Sequence, residues 1–345
     1  MPPEDTAAPG ADPEGMSLPF AHETWFDHGA YPTDWGFAAE SLTLAILATA
    51  VVLTIVVRLI ARFFPGVDVP AVGRLAPFMP FAIRLHLAVS MVGLLSLGFY
   101  LSPAMDLQAD VAGILLGATM AVVAITMATG WNARLGAALL IAAGPLGMIE
   151  FGVWPVMQRI DLLGLAIYVL AAGPGRWSAD FETGRAKEPS LIDHANAIWA
   201  LKVAAGVALI VVAFAEKLAT PDLAVQFLAD HPELNVAQQL GINLSDLEFI
   251  RVAGGIEVLF GLLLISGALP QAIILIAGIP FNATLWFFGA NELMGHLPIY
   301  GAMLAILVYG SDPRLRPAVS ALLPPGLTRG RLRRKTSAAA AGATV

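Results

Sequence analysis

The sequence predicts an all-α, polytopic membrane protein of about nine transmembrane helices, one N-terminal span followed by two parallel four-helix repeats. Three observations lead there. The chain of 345 residues is 57% hydrophobic and 13% charged, with mean hydropathy +0.75, against roughly 45–50% apolar and 25% charged residues in ordinary soluble domains. Its apolar runs reach about 20 residues, the length a helix needs to cross a hydrocarbon core of roughly 30 Å. Threaded alternately through a bilayer, those runs put sixteen of the nineteen Lys and Arg residues on one side.

Apolar runs broken by Gly, Pro and charge place the spans near 41–64, 80–101, 111–129, 134–151, 157–172, 196–215, 249–267, 271–289 and 297–310. Ahead of the first lies an acidic segment, 1–40, that contains no Lys or Arg and opens MPPEDTAAPGADPEG. That composition predicts disorder, and the first apolar run is too long for the h-region of a signal peptide. The cation-rich side collects Arg58, Arg62, Arg74, Arg84, Arg134, Arg176, Arg185, Lys187, Lys202 and the tail from Arg314 to Lys335, while only Arg159, Lys217 and Arg251 fall opposite. An excess of Lys and Arg marks the cytoplasmic side. The expected protein is therefore a plasma (inner) membrane protein with its N-terminus outside and a basic cytoplasmic tail, 313–345, lying near anionic lipid.

Two stretches of the chain run parallel. GWNARLGAALLIAAGPLGMIEFG followed by QRIDLLGLAIYVLAAGPGR corresponds to GALPQAIILIAGIPFNATLWFFG followed by GHLPIYGAMLAILVYGSDPR. Gly144-Pro145 answers Ile279-Pro280, Gly164 answers Gly301, and Gly173 answers Gly310; upstream, Arg84 answers Lys202. The chain thus divides into the span 41–64, a first repeat 77–176, a cytoplasmic linker 177–195 and a second repeat 196–312. Repeats with an even number of spans share one orientation and are related by an axis along the membrane normal.

The second repeat contains ALKVAAGVALIVVAFAEKLATPD, then RVAGGIEVLFGLLLISGAL, then GHLPIYGAMLAILVYGSDP. With a basic residue entering its first helix (Lys202), a Lys at that helix's exit (Lys217), Gly255-x-Glu257 in the second and a short last helix ending at Gly310 and Asp312, it resembles the DoxX/DoxD-like family of four-helix membrane proteins. The resemblance spans about residues 198–314, with a degenerate echo over 80–176. It implies an integral subunit of a redox-associated, quinone-interacting complex, linked to thiosulfate or sulfur oxidation or to oxidative stress, with a redox partner subunit.

A charged side chain in a span costs at least roughly 2.5–3.5 kcal/mol at the bilayer centre, so each such residue needs a reason. Glu257 lies about eight residues from the outer end of its span, roughly 12 Å at 1.5 Å per residue, and Asn282 reaches a similar depth in the next. Lys217 ends one span, Arg251 opens another, and Glu292 and His296 sit four residues apart at the mouth of the last. Pro298 predicts that this span starts there, which would put His296 at a positive helix end and disfavour the imidazolium. One reading assembles Glu257, His296, Lys217, Asn282, Glu292 and Arg251 into an outer pocket for a quinone head group, with Glu257 or His296 as proton acceptor. The other makes Glu257 a helix-fastening partner of Lys217 or Arg251, Asn282 an interhelical hydrogen bond, and Glu292 and His296 interfacial loop residues.

Other features are less specific. Glu150, Arg159 and Asp161 read as a helix-fastening cluster, and Leu223, Phe227 and Leu228 as the apolar face of a helix covering the pocket. His22 and His28 are candidate metal ligands, or part of a helix folding over the bundle as a lid. With no Cys in the chain, disulfides, thiolate metal sites and cysteine-based cofactors are excluded. Nothing resembles a phosphate loop, a Ser/His/Asp set or a nucleic-acid surface. Two further function classes stay open: a small-solute transporter that uses Glu257, and a non-catalytic membrane assembly or structural factor.

Overall fold

A computed structural model describes residues 31–64, 69–288 and 290–327. α1 (Trp35–Ala39) is one turn capped by Asp34, whose carboxylate accepts the Gly36 N–H at 2.8 Å, and α2 (Ser41–Ile60) follows directly. α3 (Pro70–Gly73) and a 3₁₀ turn lead into α4 (Met79–Ser96). α5 (Val111–Thr129) starts on the Asp110 cap and stops on Gly130 in the left-handed region, where a residue without Cβ ends a helix at least cost. Next come α6 (Ala133–Phe151), α7 (Val153–Gln158), α8 (Ile160–Ala172) and α9 (Ala179–Glu182). α10 (Leu191–Ala213) runs into a π-turn, Phe214–Leu218. The rest comprises α11 (Pro221–Asp230), α12 (Val236–Gln239), α13 (Asp246–Ser266), α14 (Pro270–Phe288), α15 (Ala290–Gly310) and α16 (Arg316–Val319).

Among the described residues the chain is all-helical apart from one isolated antiparallel bridge, Phe99 to Asp106. Six helical stretches are long and apolar enough to cross a membrane: Ser41–Ile60, Ala76–Ser96, Val111–Thr129, Ala133–Phe151, Leu191–Leu218 and Asp246–Ser266. Three shorter apolar helices, Ile160–Ala172, Pro270–Trp286 and Gly295–Gly310, accompany them. α2 exposes Leu44, Val52, Ile55 and Leu59, a face that has a natural solvent only in hydrocarbon or against a partner. The protein is thus a multi-pass membrane protein.

Several boundaries differ from those expected, among them the end of α4, at Ser96 rather than 101. α2 stops at Ile60 rather than 64. The span expected over 157–172 is broken at Arg159, whose backbone (φ −99°, ψ 25°) leaves helical geometry between α7 and α8. α10 begins at Leu191, inside the stretch expected as linker, because Ser190 caps it by accepting the Asp193 N–H at 3.2 Å.

α10 lies at the centre, against α8, α13 and α15; α4 packs on α5, α8 and α15; α2 lies on α13, and α14 packs chiefly on α15. α2 approaches α13 over Gly255, where an added Cβ would stand 2.3 Å from Ile46, so the Gly of the Gly-x-Glu motif makes room for a neighbouring helix. The start of α13 is held by a capping box in which Ser245 accepts the Glu248 N–H and Glu248 accepts from Ser245. Ser245→Ala is expected to cost about 1 kcal/mol of stability, read as a lowered thermal midpoint with the helical content of the folded protein unchanged.

Candidate functional site

The ionisable residues predicted from the sequence separate into distinct places. At the end of α10 the π-turn is closed by the Ala219 N–H donating to the Phe214 carbonyl at 2.8 Å. Within this turn Glu216 and Lys217 are both buried, 1% and 8% exposed. Insertions of this kind recur at functional sites. Lys217 Nζ lies 3.0 Å from Glu257 Oε1 on α13 and 3.4 Å from Glu216 Oε2. One cation therefore serves two carboxylates, and the buried Glu257 Oε2 has no hydrogen-bond partner among the described residues.

The N-terminal segment covers this cluster. The Asp34 N–H donates to the Ala219 carbonyl at 2.7 Å, and Trp35 lies between Trp154 and Phe214, with ring centroids 5.7 and 6.3 Å away. Arg251 is engaged in the same attachment. Its Nη2 meets Glu40 Oε2 at 2.5 Å and its guanidinium stands over the Phe37 ring, 4.4 Å from the centroid, so it staples α1 and α2 to α13. α11 closes the same end with Leu223, Phe227 and Leu228 buried, as their spacing predicted.

α15 corrects one expectation. It begins at Ala290 and carries Pro298 within it; membrane helices accommodate an internal proline where neighbouring groups and local adjustments re-satisfy the backbone it frees. His296 therefore sits in the second turn rather than at the helix start, with Glu292 in the first. His296 is buried, its ring edge-on to Phe281 at 4.9 Å and Tyr300 at 6.0 Å. Arg159 reaches across from α8 and donates to the Gly295 carbonyl at 3.0 Å, so it does fasten helices, whereas Glu150 is exposed.

Asn282 lies elsewhere, in an open groove of about 610 Å³ between α4, α14 and α15. The lining is apolar, with Ile274, Leu275, Ile279, Met303, Leu304 and Leu307, except for His86, Asn282 and Tyr300. The His86 ring lies against Gly301, where an added Cβ would come within 2.9 Å of it. His86 Nδ1 is 2.7 Å from the Ala82 carbonyl. A carbonyl can only accept, so Nδ1 carries the proton, and of the two tautomers this selects the one whose Nε2 is an acceptor. Asn282 donates one N–H to the Gly278 carbonyl at 2.6 Å, and the Tyr300 hydroxyl donates to the Phe281 carbonyl at 2.9 Å. His86 is not among the residues predicted from the sequence, although a lone His within a span is signal enough to find it.

A second unanticipated group lies toward the opposite end, where α8, α10 and α15 meet. The Tyr168 and Tyr309 hydroxyls are hydrogen-bonded to each other, and Tyr168 also meets His194 Nε2 at 2.9 Å. Next to it, burial raises the Asp312 carboxyl, but bonds from the Arg314 side chain at 3.0 and 3.3 Å and backbone at 2.9 Å outweigh that and hold it below the usual carboxylate range.

Among the described residues no group of three or more His, Cys, Asp or Glu is placed to hold a metal ion; His22 and His28 lie outside the described residues. No family model, curated protein or solved structure matches the chain.

Proposed function

We propose that the protein is a duplicated, DoxX-like membrane subunit of a redox-associated complex in the plasma membrane, N-terminus outside, and that it takes a quinone head group from the bilayer into the groove between α4, α14 and α15. The observation that carries this reading is the groove itself. It is apolar and mid-helix, and its polar lining is confined to His86, Asn282 and Tyr300. Lateral, largely apolar sites with few convergent polar groups suit small ligands. A quinone, when bound, supplies a couple that exchanges electrons together with protons. His86 Nε2 would take or hold a proton from a hydroxyl, and the second Asn282 N–H would orient an oxygen.

The duplication has support of its own. In the register that pairs Gly164 with Gly301, Gly130 pairs with Gly267, and both stop their helices in the left-handed region. Each packs on the buried cation that opens the four-helix unit: an added Cβ at Gly130 would stand 2.7 Å from Arg84 Nη1, and one at Gly267 3.0 Å from Lys202 Nζ. Gly164 lies on Ala204 of α10 as Gly301 lies on His86 of α4. In the register that pairs Arg84 with Lys202, His86 and Ala204 occupy the same position. A small residue in one unit is thus a histidine in the other, which confines the groove chemistry to a single seam.

Saturable quinone binding by the purified protein in nanodiscs tests this. Replacing His86 by Leu, or Asn282 by Leu, is expected to weaken binding at least about tenfold, the equivalent of roughly 1.4 kcal/mol, with an unchanged thermal melt. Absence of binding in the wild type, or binding indifferent to both changes, would overturn the assignment. Loss in Glu257→Gln or His296→Ala with His86→Leu intact would move the ligand to α13 or the start of α15. The transporter reading draws on the Glu216–Lys217–Glu257 cluster and predicts proton-gradient-dependent uptake abolished by Glu257→Gln.

A further inference from the structure

At the end of the bundle away from Lys217, a pocket of about 260 Å³ opens beside the last turn of α2. Arg58, Phe64, Gly267, Pro270, Arg316 and Pro317 contribute to its wall, and no Asp or Glu does. Arg58 bridges the surrounding backbone through one nitrogen, Nη1 donating to the Gly267 and Ser320 carbonyls, both at 3.0 Å. The rest of its guanidinium fork, Nε and Nη2, has no protein partner among the described residues. Arg316 is oriented by Nε donating to the Gly310 carbonyl at 2.9 Å. Arg62 follows one turn after Arg58, exposed and without an ion pair among the described residues. Behind the wall, the fully buried Lys202 places its ammonium at Gly267 and donates to the Ala321 carbonyl. Positive charge is thus gathered here with no carboxylate on the pocket wall.

The surroundings are apolar on the side that faces the membrane. Above the pocket, α2 exposes Val52, Ile55, Val56, Leu59 and Ile60 along its length, and Phe63 and Phe64 stand 82% and 61% exposed at its foot. A ligand here meets planar cationic donors at the helix end and a continuous hydrocarbon track running away from them. Arginine forks bind phosphate oxygens in a bidentate manner, and basic pockets between membrane helices receive anionic lipid head groups.

We propose that this pocket is a binding site for the phosphate of an anionic phospholipid, held by Arg58 and Arg316 with its acyl chains along α2. A free phosphate would share the charge contacts and make no use of the apolar track. The site is independent of the groove at His86, so failure of either leaves the other standing.

The test is lipid retention by the full chain in nanodiscs of equimolar phosphatidylglycerol and phosphatidylcholine, followed by native mass spectrometry of the released protein. Wild type is expected to retain phosphatidylglycerol preferentially. Each lost cation should weaken retention roughly fivefold, from about 1 kcal/mol per Lys or Arg near an anionic surface, so that Arg58→Gln/Arg316→Gln falls by about 25-fold. Because Arg58 also bridges backbone carbonyls, Pro317→Trp supplies a second variant that fills the pocket while leaving those bonds in place, and it too should lose the preference. Equal retention of the two lipids by wild type, or an undiminished preference in Pro317→Trp, would overturn the proposal. So would displacement of the lipid by millimolar inorganic phosphate, which would mark the site as one for the free anion.

Discussion

Replacing Lys217 by Met is expected to destabilise the folded chain by about 3–5 kcal/mol, the range for removing one partner from a buried ion pair. Lys217 Nζ is the cation for both Glu257 and Glu216, at 3.0 and 3.4 Å, and without it two carboxylates face each other in a poorly solvated corner. Glu257→Gln should cost much less. Lys217 keeps Glu216, itself 1% exposed, and the amide can still accept from the ammonium. The order of the two effects is the discriminating result, and chemical denaturation in a defined detergent measures it. Lys217→Met/Glu257→Gln should recover part of the loss, because the carboxylate 3.0 Å from the lost ammonium is then gone as well. If Lys217→Met and Glu257→Gln cost the same, Glu216 is not sharing the lysine and the π-turn has no electrostatic purpose.

Much of the architecture was legible because in hydrocarbon the chain has to satisfy its backbone within helices. The run 111–129 and α5 agree to the residue, bounded by Asp110 as cap and Gly130 as stop, both of which are sequence signals. Legibility failed where one residue departs from a periodic rule. Pro298 promised a helix start and instead sits within α15. Phe214–Leu218 gave no warning of a π-turn, or that both Glu216 and Lys217 would be buried there. Pairing Glu257 with Lys217 was among the readings available from depth alone. The location of Asn282 was not, because depth says nothing about which face a residue takes. His86 shows a different failure: its meaning comes from Gly301 on a helix more than two hundred residues later, and only the folded chain puts them together.

Gly206→Leu is expected to be among the most damaging changes to a residue with no charge. Gly206 and Gly261 mark the crossing of α10 and α13, and an added Cβ at Gly206 would stand 2.7 Å from the Gly261 carbonyl oxygen, while one at Gly261 would stand 2.5 Å from that of Gly206. Both obstacles are backbone atoms, so no rotamer relieves them and the helices must separate. Small residues at such crossings supply the close approach that drives association in a membrane, where the hydrophobic effect between helices is absent. Overpacking ordinarily costs about 1–3 kcal/mol and occasionally more; with the obstacles in the backbone, the upper end is expected here. Gly144, on α6, has nothing within 4 Å of an added Cβ, and Gly144→Ala should be neutral or slightly stabilising through helix propensity alone. The same two helices carry Lys217 and Glu257, and separating them stretches the 3.0 Å ion pair. Gly206→Leu and Lys217→Met should therefore be less than additive although the residues do not touch, since the first already removes part of what the second takes away. Strict additivity would mean that the ion pair follows the helices as they move, and that the crossing at Gly206 does not set the geometry of the charge cluster.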